Sequence, residues 1–567
     1  MNTMASNLSG AQVFIAALKR HGVDIMFGQS IPTLFYLATP DYGIEQITYR
    51  TENAGAVMAD AYARISGRIP VVTAQNGPAA TLLVAGLAEA LTASIPIVAL
   101  VQEVPAQNRD RNAFQELDQL ELFKGAAKWI RRVSEPGRID DYVDMAFKAA
   151  GSGRPGPAVL LCPADLIERA GIASSSRQEN LGTYPIDRPV ADPVAISKAA
   201  DLLAAADNPF VWAGGGVHSS RAWGDVAALQ ETCHLPVATT TMGKGVIDES
   251  HPLSMGVIGY YMGTGGATRY LRPMVERADV ILAVGNRTNQ NGTDSWSLLP
   301  EGARIIHIDI DPMEVGRNYE ALRLVGDASL TLRAILAQLE QRDLTKRQSA
   351  RSRVETEISS ARLQHLEERS ARVNGDAHPI RPEKMMADLD AMLTPEHIVV
   401  ADASYASIWI CNNLMSRRPG MRFLTPRGMA GLGWGLPYAL GAKLAEPKAP
   451  VFALVGDGGF AHVWSELETA FRHGLHVVLV VLNNQILGYQ KHAENARYGD
   501  HTGAVYFQPV DHAAIARACG CRGVTVTEAA AFQPALAEAF TAAKEATTVI
   551  DVMVDPDAHP PITAFES

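Results

Sequence analysis

Cysteine is scarce and scattered: Cys162, Cys233, Cys411, Cys519 and Cys521 are all there is in 567 residues. An odd, sparse set makes no disulfide framework and fits a reducing compartment, so a cytoplasmic location is expected. Cys519-Gly-Cys521 is too tight and too isolated for a zinc site, and core packing is its expected role. Basic charge is also in short supply. Lys and Arg total 50 against 61 Asp and Glu, a net of −11. That balance argues against a non-specific nucleic-acid binder and gives no pointer to an acidic partner. The opening residues, MNTMASNLSG, carry no basic stretch followed by an apolar one, so no secretory leader is expected. Long uninterrupted apolar runs are missing too. The segment from Ala79 to Val101 carries Glu89 and breaks at Pro96, so it reads as a buried helix plus strand, not a membrane span.

What is present is alternation. Short apolar runs that read as buried strands are separated by helical patterns, over a length that exceeds one core. The expected fold is α/β, with three doubly wound parallel-sheet domains at 1–175, 190–345 and 380–567. In the first, Ile25-Met-Phe27, Gln46-Ile-Thr48, Pro70 to Ala74, Ile95 to Val101 and Ala158 to Cys162 are strands, and Ala54 to Ile65 is a helix. Ser174 to Pro193 is a linker. In the second, Phe210-Val-Trp-Ala213 runs into Gly214-Gly-Gly216, which suits either a nucleotide site or tight strand–helix packing. Leu344 to Asn374, dense in Arg, Glu, Gln and Ser, is expected to be a solvated helical connector without function. No repeat is visible, although the first and third domains are of one type.

The third domain holds the most informative residues. Val451-Phe-Ala-Leu-Val455 ends in Gly456-Asp457-Gly458-Gly459, a helical pattern follows, and Val477 to Leu482 ends in Asn483-Asn484. Strand, helix, strand is a βαβ unit, so both polar turns lie at the carboxyl ends of neighbouring parallel strands, where ligands bind in open sheets. A carboxylate on one turn and an amide oxygen on the other suit a hard cation such as Mg²⁺, which uses few protein ligands and completes its octahedron with phosphate oxygens and water. Glycines let the backbone approach a diphosphate closely.

This pattern resembles the motif of thiamine diphosphate (ThDP) enzymes, GDG followed by NN. The resemblance implies that Asp457 and Asn484 bind the metal through their side chains and Ile486 through its carbonyl. Gly456, Gly458 and Gly459 would border the diphosphate. Glu52, followed by Ala61-Tyr-Ala-Arg64 and Ser66-Gly67, then Asn76-Gly-Pro-Ala79 and Phe114-Gln-Glu-x-Asp118, is similar to the pyrimidine-binding domain of the same enzymes. The match is closest to the acetolactate synthase group. In the family a Glu at this place hydrogen-bonds the pyrimidine and promotes loss of the cofactor's C2 proton, and that role carries to Glu52. A bulky apolar side chain in a glycine-rich segment props the two cofactor rings together. Here the segment is Gly428-Met-Ala-Gly-Leu-Gly-Trp-Gly-Leu-Pro437, and Leu432 falls at the wedge position. Ile308-Asp-Ile-Asp-Pro-x-Glu-x-Gly316 looks like the end of the family's central domain. The three domains are then pyrimidine-binding, central Rossmann-like and diphosphate-binding. Each cofactor is shared between subunits in the family, which implies a homodimer or homotetramer.

The substrate-facing parts depart from acetolactate synthase. A Tyr-Pro-Gly-Gly loop is Gln29-Ser-Ile-Pro32 here, a Ser or Thr before Gly-Pro is Asn76, and Gly-Met-His-Gly is Gly259-Tyr-Tyr-Met262. Arg-Phe-Asp-Asp-Arg is Arg287-Thr-Asn-Gln-Asn291, and its second Arg, which meets a substrate carboxylate in the synthases, is Asn291. These changes leave pyruvate as second substrate open, and leave the central domain open between FAD, an ADP-like group and nothing. Gln115 is the candidate polar group beside the reacting carbon, Gln29 and Asn76 are candidate substrate contacts, and His462 and His492 are candidate proton relays. The expected activity is decarboxylation of a 2-oxo acid with carboligation. Alternatives are a decarboxylase similar to benzoylformate decarboxylase, a lyase such as a 2-hydroxyacyl-CoA lyase, and acyl transfer of the sulfoacetaldehyde acetyltransferase kind. A non-catalytic subunit and a nicotinamide dehydrogenase built on Gly214 to Gly216 are less favoured.

Overall fold

The computed structural model describes residues 8–174 and 180–566. Three parallel sheets of six strands follow one another along the chain. The first holds β1 (Ile25–Phe27), β2 (Glu45–Ile47), β3 (Val71–Ala74), β4 (Ile97–Glu103), β5 (Trp129–Arg132) and β6 (Pro157–Pro163), in the order β2-β1-β3-β4-β6-β5. The second holds β7 (Pro209–Ala213), β8 (Val237–Thr239), β9 (Ser254–Val257), β10 (Val280–Val284), β11 (Arg304–Asp309) and β12 (Ala321–Val325), in the order β12-β11-β10-β7-β8-β9. The third holds β13 (Ile398–Ala401), β14 (Arg422–Leu424), β15 (Val451–Gly456), β16 (Val478–Asn483), β17 (Arg522–Val526) and β18 (Thr548–Met553), in the order β14-β13-β15-β16-β18-β17. The first and third sheets thus share one strand order. The second has the order of the dinucleotide-binding fold, with its crossover point between β7 and β10.

Helices cover both faces of each sheet, which is why the central strands are apolar throughout instead of alternating. Every residue of β3, β6, β7, β10 and β16 is buried. The first and third domains pack through two helices, Glu52–Ser66 and Gly435–Ala445. Their backbones nearly touch. A Cβ on Gly441 would lie 2.1 Å from the Met58 carbonyl oxygen, so only glycine fits there.

The expected linker over Ser174 to Pro193 includes 175–179, which lie outside the described residues; from 180 to 192 there is no helix or strand. The polar connector is a helix of 29 residues, Thr345–Val373. One side of it is not solvated: Ile358, Ala361 and His365 are buried, and Arg362 donates to the carbonyls of Glu249 and Ser254. The segment from Ala79 to Val101 is a helix, Pro78–Ala93, followed by β4. No helix among the described residues is long and apolar enough to cross a membrane.

Candidate active site

β15 and β16 are neighbours, with Gly456 opposite Leu482, so the turns that follow them meet at one edge of the third sheet. Asp457 opens a short helical turn, and its carboxylate is held by backbone. Gly458 N–H donates to Oδ1 at 2.8 Å and Gln485 N–H to Oδ2 at 2.6 Å. Burial pushes this carboxyl up to about 6, opposed by those two N–H groups, which favour the charged form. Asn484 Oδ1 accepts from Ile486 N–H at 3.2 Å. The first Asn of the pair faces away from this edge and ties down its neighbours, since Asn483 Nδ2 donates to Asp551 Oδ1 and to the Val510 carbonyl.

One cavity is bordered by Gly456 to Gly459, Asn484, Ile486 and Leu432. The described residues contain no cluster of three or more His, Cys, Asp or Glu side chains that could hold a metal. One carboxylate with neutral amide and carbonyl oxygens does not suit a thiolate- or imidazole-seeking metal. It does suit a hard cation that takes its remaining ligands from a phosphate and water. The backbone leaves room for that phosphate, because a Cβ added at Gly456 would meet nothing within 4 Å.

Leu432 is presented by a loop that is clamped at both ends. Glu89, fully buried on the helix Pro78–Ala93, accepts from the N–H groups of Gly428 (2.8 Å), Met429 (2.5 Å) and Ala430 (3.3 Å). Asp402, at the end of β13, accepts from Gly433 (3.0 Å) and Trp434 (3.1 Å). Burial pushes the Asp402 carboxyl up to about 6. Between these clamps Leu432 borders the cavity. His462 packs beneath the same loop, where a Cβ on Gly433 would lie 2.8 Å from its own Cβ. His492 is bonded to the Gly488 carbonyl and the Tyr405 hydroxyl, and burial lowers its pKa. Neither imidazole borders the cavity.

The remaining candidates lie at the carboxyl edge of the first sheet. Glu52 is the first residue of its helix, buried, and burial raises its carboxyl above the ordinary value. The chain entering it is held by Glu466, whose carboxylate accepts from the N–H groups of Arg50 (3.2 Å) and Thr51 (3.0 Å). Gln29 Nε2 donates to the Arg50 carbonyl at 2.9 Å, so Gln29 braces the same segment. Asn76 Nδ2 donates to the carbonyls of Gln115 (3.1 Å) and Phe114 (3.4 Å), and Gln75 Nε2 donates to Gln115 Oε1 (3.1 Å). Asn76 is therefore a clip on the loop that carries Gln115, a residue with a φ of 60°. Gln29, Glu52, Asn76 and Gln115 do not border the cavity around Asp457.

Glu89, Asp402 and Glu466 were not among the candidates. Asp402 carries a readable signal, since it ends an apolar run at a strand edge; the others belong to no spacing pattern. A second cavity lies at the crossover point of the middle sheet, bordered by Gly214 to Gly216, Gly285, Arg287 and Asp309. The triple glycine serves packing there, because a Cβ on Gly216 would lie 2.7 Å from Gly285 Cα.

Three family profiles match the three sheets in order. They describe the N-terminal TPP binding domain (residues 8–122), the central domain (196–335) and the C-terminal TPP binding domain (402–552) of thiamine pyrophosphate enzymes. The chain belongs to the thiamine pyrophosphate, or thiamine diphosphate, enzyme family. Within it, the chain is similar to proteins named for acetolactate synthase. It is 32% identical over 569 residues to the probable acetolactate synthase large subunit of Methanocaldococcus jannaschii, covering 97% of this chain and 92% of that one. It is 31% identical over 571 residues to the acetolactate synthase of Arthrospira platensis, covering 98% and 96%. With the acetolactate synthase isozyme 2 large subunit of Escherichia coli it shares 31% over 489 residues, covering 85% and 84%.

Proposed function

We propose that the chain is a ThDP- and Mg²⁺-dependent enzyme that breaks the carbon–carbon bond beside the carbonyl of a 2-oxo acid and joins the acyl unit to an acceptor. The observation that carries this is the cavity in which the Asp457 and Asn484 turns, the open backbone at Gly456 and the clamped Leu432 meet. Asp457, Asn484 Oδ1 and the Ile486 carbonyl would hold the metal, while Gly456, Gly458 and Gly459 would let the diphosphate approach the backbone. Leu432 props the cofactor rings. When bound, the cofactor supplies a carbon nucleophile and an electron sink. Glu52 donates a hydrogen bond to the pyrimidine ring, and its raised pKa suits a carboxyl group that must hold and return a proton. Gln115 would supply a polar group beside the reacting carbon, with Gln29 and Asn76 as substrate contacts.

That Glu52 does not border the cavity around Asp457 supports a site completed by a second copy, in a homodimer or a homotetramer. Phe114, beside Gln115, is 86% exposed and Met429, near Leu432, 58% exposed, and such apolar side chains next to a site favour cover by a partner. The central cavity offers Arg287, which makes no direct ion pair among the described residues although Glu314 and Asp309 act on it electrostatically, to a phosphate. FAD and an ADP-like group share that end. The five cysteines are free, in keeping with a cytoplasmic setting.

The test is an absorbance spectrum followed by CO₂ release from pyruvate, 2-oxobutanoate and benzoylformate with added ThDP and Mg²⁺. Release from at least one acid is expected, and a flavin spectrum distinguishes FAD from an ADP-like group. No release from any of them would overturn the proposed reaction.

A further inference from the structure

Arg427 borders both the cavity around Asp457 and the central cavity, and Asn291 borders the same two. The Arg427 Nη2 donates to Ser407 Oγ at 2.7 Å and to Tyr260 Oη at 3.0 Å. Both partners are neutral. The Tyr260 phenol is buried, which raises its pKa and keeps its proton on. Arg427 Nε is buried without any partner, and no carboxylate pairs with this guanidinium among the described residues.

A guanidinium carries five N–H donors in a fixed fork and does not give up its charge. Several buried or half-buried arginines among the described residues pair with a carboxylate, while Arg347, Arg362 and Arg422 lack one and donate to backbone carbonyls instead. Arg64 meets Asp60, Arg154 meets Glu314 and Arg381 meets Glu383. Arg427, at the wall of the cofactor cavity, has neither a carboxylate nor a backbone carbonyl, only two neutral hydroxyls. A desolvated cation that is left unpaired is costly, and an anion entering the cavity would relieve that cost. The geometry points to Arg427 as the binding site for the carboxylate of a 2-oxo acid substrate, held through the guanidinium edge that Tyr260 and Ser407 leave free. This rests on the ThDP reading above.

A 2-oxo acid carboxylate could come from the donor or from the acceptor. The donor's is lost as CO₂, and its charge disperses as the bond breaks. A cation gripping it would stabilise the bound acid more than the transition state and so slow the step. The acceptor's carboxylate survives the reaction, so gripping it costs nothing in the chemistry. The acceptor is therefore the favoured source. Asn291, at the same junction, has no charge to supply.

The test compares the full-length wild type with Arg427→Ala and Arg427→Lys, all loaded with ThDP and Mg²⁺. ThDP affinity and the exchange of the cofactor C2 proton are expected to stay within about twofold. For Arg427→Ala the KM for the carboxylate-bearing substrate is expected to rise about 30-fold or more. Added guanidinium chloride at millimolar concentration should restore part of the loss in the Ala variant, an effect that a purely structural role would not give. Lys, with a point charge and no fork, should recover less than the wild type. If the acceptor is bound, CO₂ release from the first acid is unchanged while the coupled product is lost. If the donor is bound, the KM of CO₂ release itself rises. Either result supports the assignment. It is overturned if Arg427→Ala moves neither KM, if guanidinium restores nothing, or if ThDP affinity falls in step with activity. It is also overturned if the wild type exchanges the C2 proton but releases CO₂ from none of pyruvate, 2-oxobutanoate and benzoylformate. A wild type that fails to exchange that proton would instead refute the ThDP reading.

Discussion

Replacing Glu89 with Gln should weaken cofactor binding from a helix in the first domain. The carboxylate accepts from Gly428 N–H on Oε1 and from Met429 and Ala430 N–H on Oε2, and Oε1 lies 3.8 Å from Arg64 Nη2. Gln is nearly the same shape, but one of its two ends is a donor. With the NH₂ at the Oε2 position, two backbone N–H groups lose their acceptor. With it at Oε1, only Gly428 is left bare, though the amide then also faces the Arg64 cation. The second arrangement is less costly, and it leaves one buried N–H unsatisfied, at about 1–3 kcal/mol. If the loop escapes that cost by moving, and binding must pull it back, ThDP affinity falls roughly 5- to 150-fold. Trp434 sits in the same loop and is buried, so quenching of tryptophan fluorescence by ThDP is a direct assay. Melting followed by circular dichroism checks that the sheets persist. A Glu89→Gln protein that binds ThDP within twofold of the wild type would refute the clamp.

The remaining predictions concern the metal and the shared site. In the metal-free chain the Asp457 carboxyl is pushed up to about 6, from an ordinary value of 3.8. The native state then keeps a proton that the unfolded chain has lost, so this group lowers stability as pH rises from about 4 to 6. Mg²⁺ needs the charged carboxylate. Its affinity should therefore be level above about pH 6 and fall about tenfold for each unit below it, and a flat profile by titration calorimetry from pH 5 to 7.5 would refute the ligand role. If Glu52 and Asp457 of different copies form one site, mixing inactive Glu52→Gln and Asp457→Ala chains should restore up to about a quarter of wild-type activity, through one intact site in each mixed dimer. No recovery after subunit exchange would place the whole site in one chain.

The central strands were legible because burial on both faces writes them as plain apolar runs. β5, β8, β9, β12, β14 and β17 were not singled out, and all but β8 lie at a sheet edge. Of the edge strands, β5, β12 and β17 are partly exposed and carry polar residues, as in Trp129-Ile-Arg-Arg132 and Arg522-Gly-Val-Thr-Val526, while β9 and β14 are mostly buried but too short or polar to make an apolar run. The common strand order of the first and third sheets left no repeat in the residues, since topology needs only the pattern and not the side chains. That Gly456 to Gly459 and Asn484 meet at one cavity was legible because both turns belong to one βαβ unit. Glu89 was not. It meets the loop that carries Leu432 across 339 residues of sequence, and a glutamate in an apolar helix looks like any other until its partners are seen. Glu466 is hidden in the same way, bonded to Arg50 across 416 residues. Asn76, a candidate substrate contact by its place beside Gly-Pro, also has a role that spacing does not show: its amide nitrogen donates to the loop of Gln115.

The most direct test of the account is the exchange of the C2 proton of ThDP, followed by rapid quench in deuterated buffer, in the wild type and in Glu52→Gln. Both proteins should bind ThDP and Mg²⁺, and the wild type should exchange the proton at least about 100-fold faster than the variant. Equal exchange rates with cofactor bound to both would contradict the role of Glu52, and with it the claim that the two sheet edges together form one ThDP site.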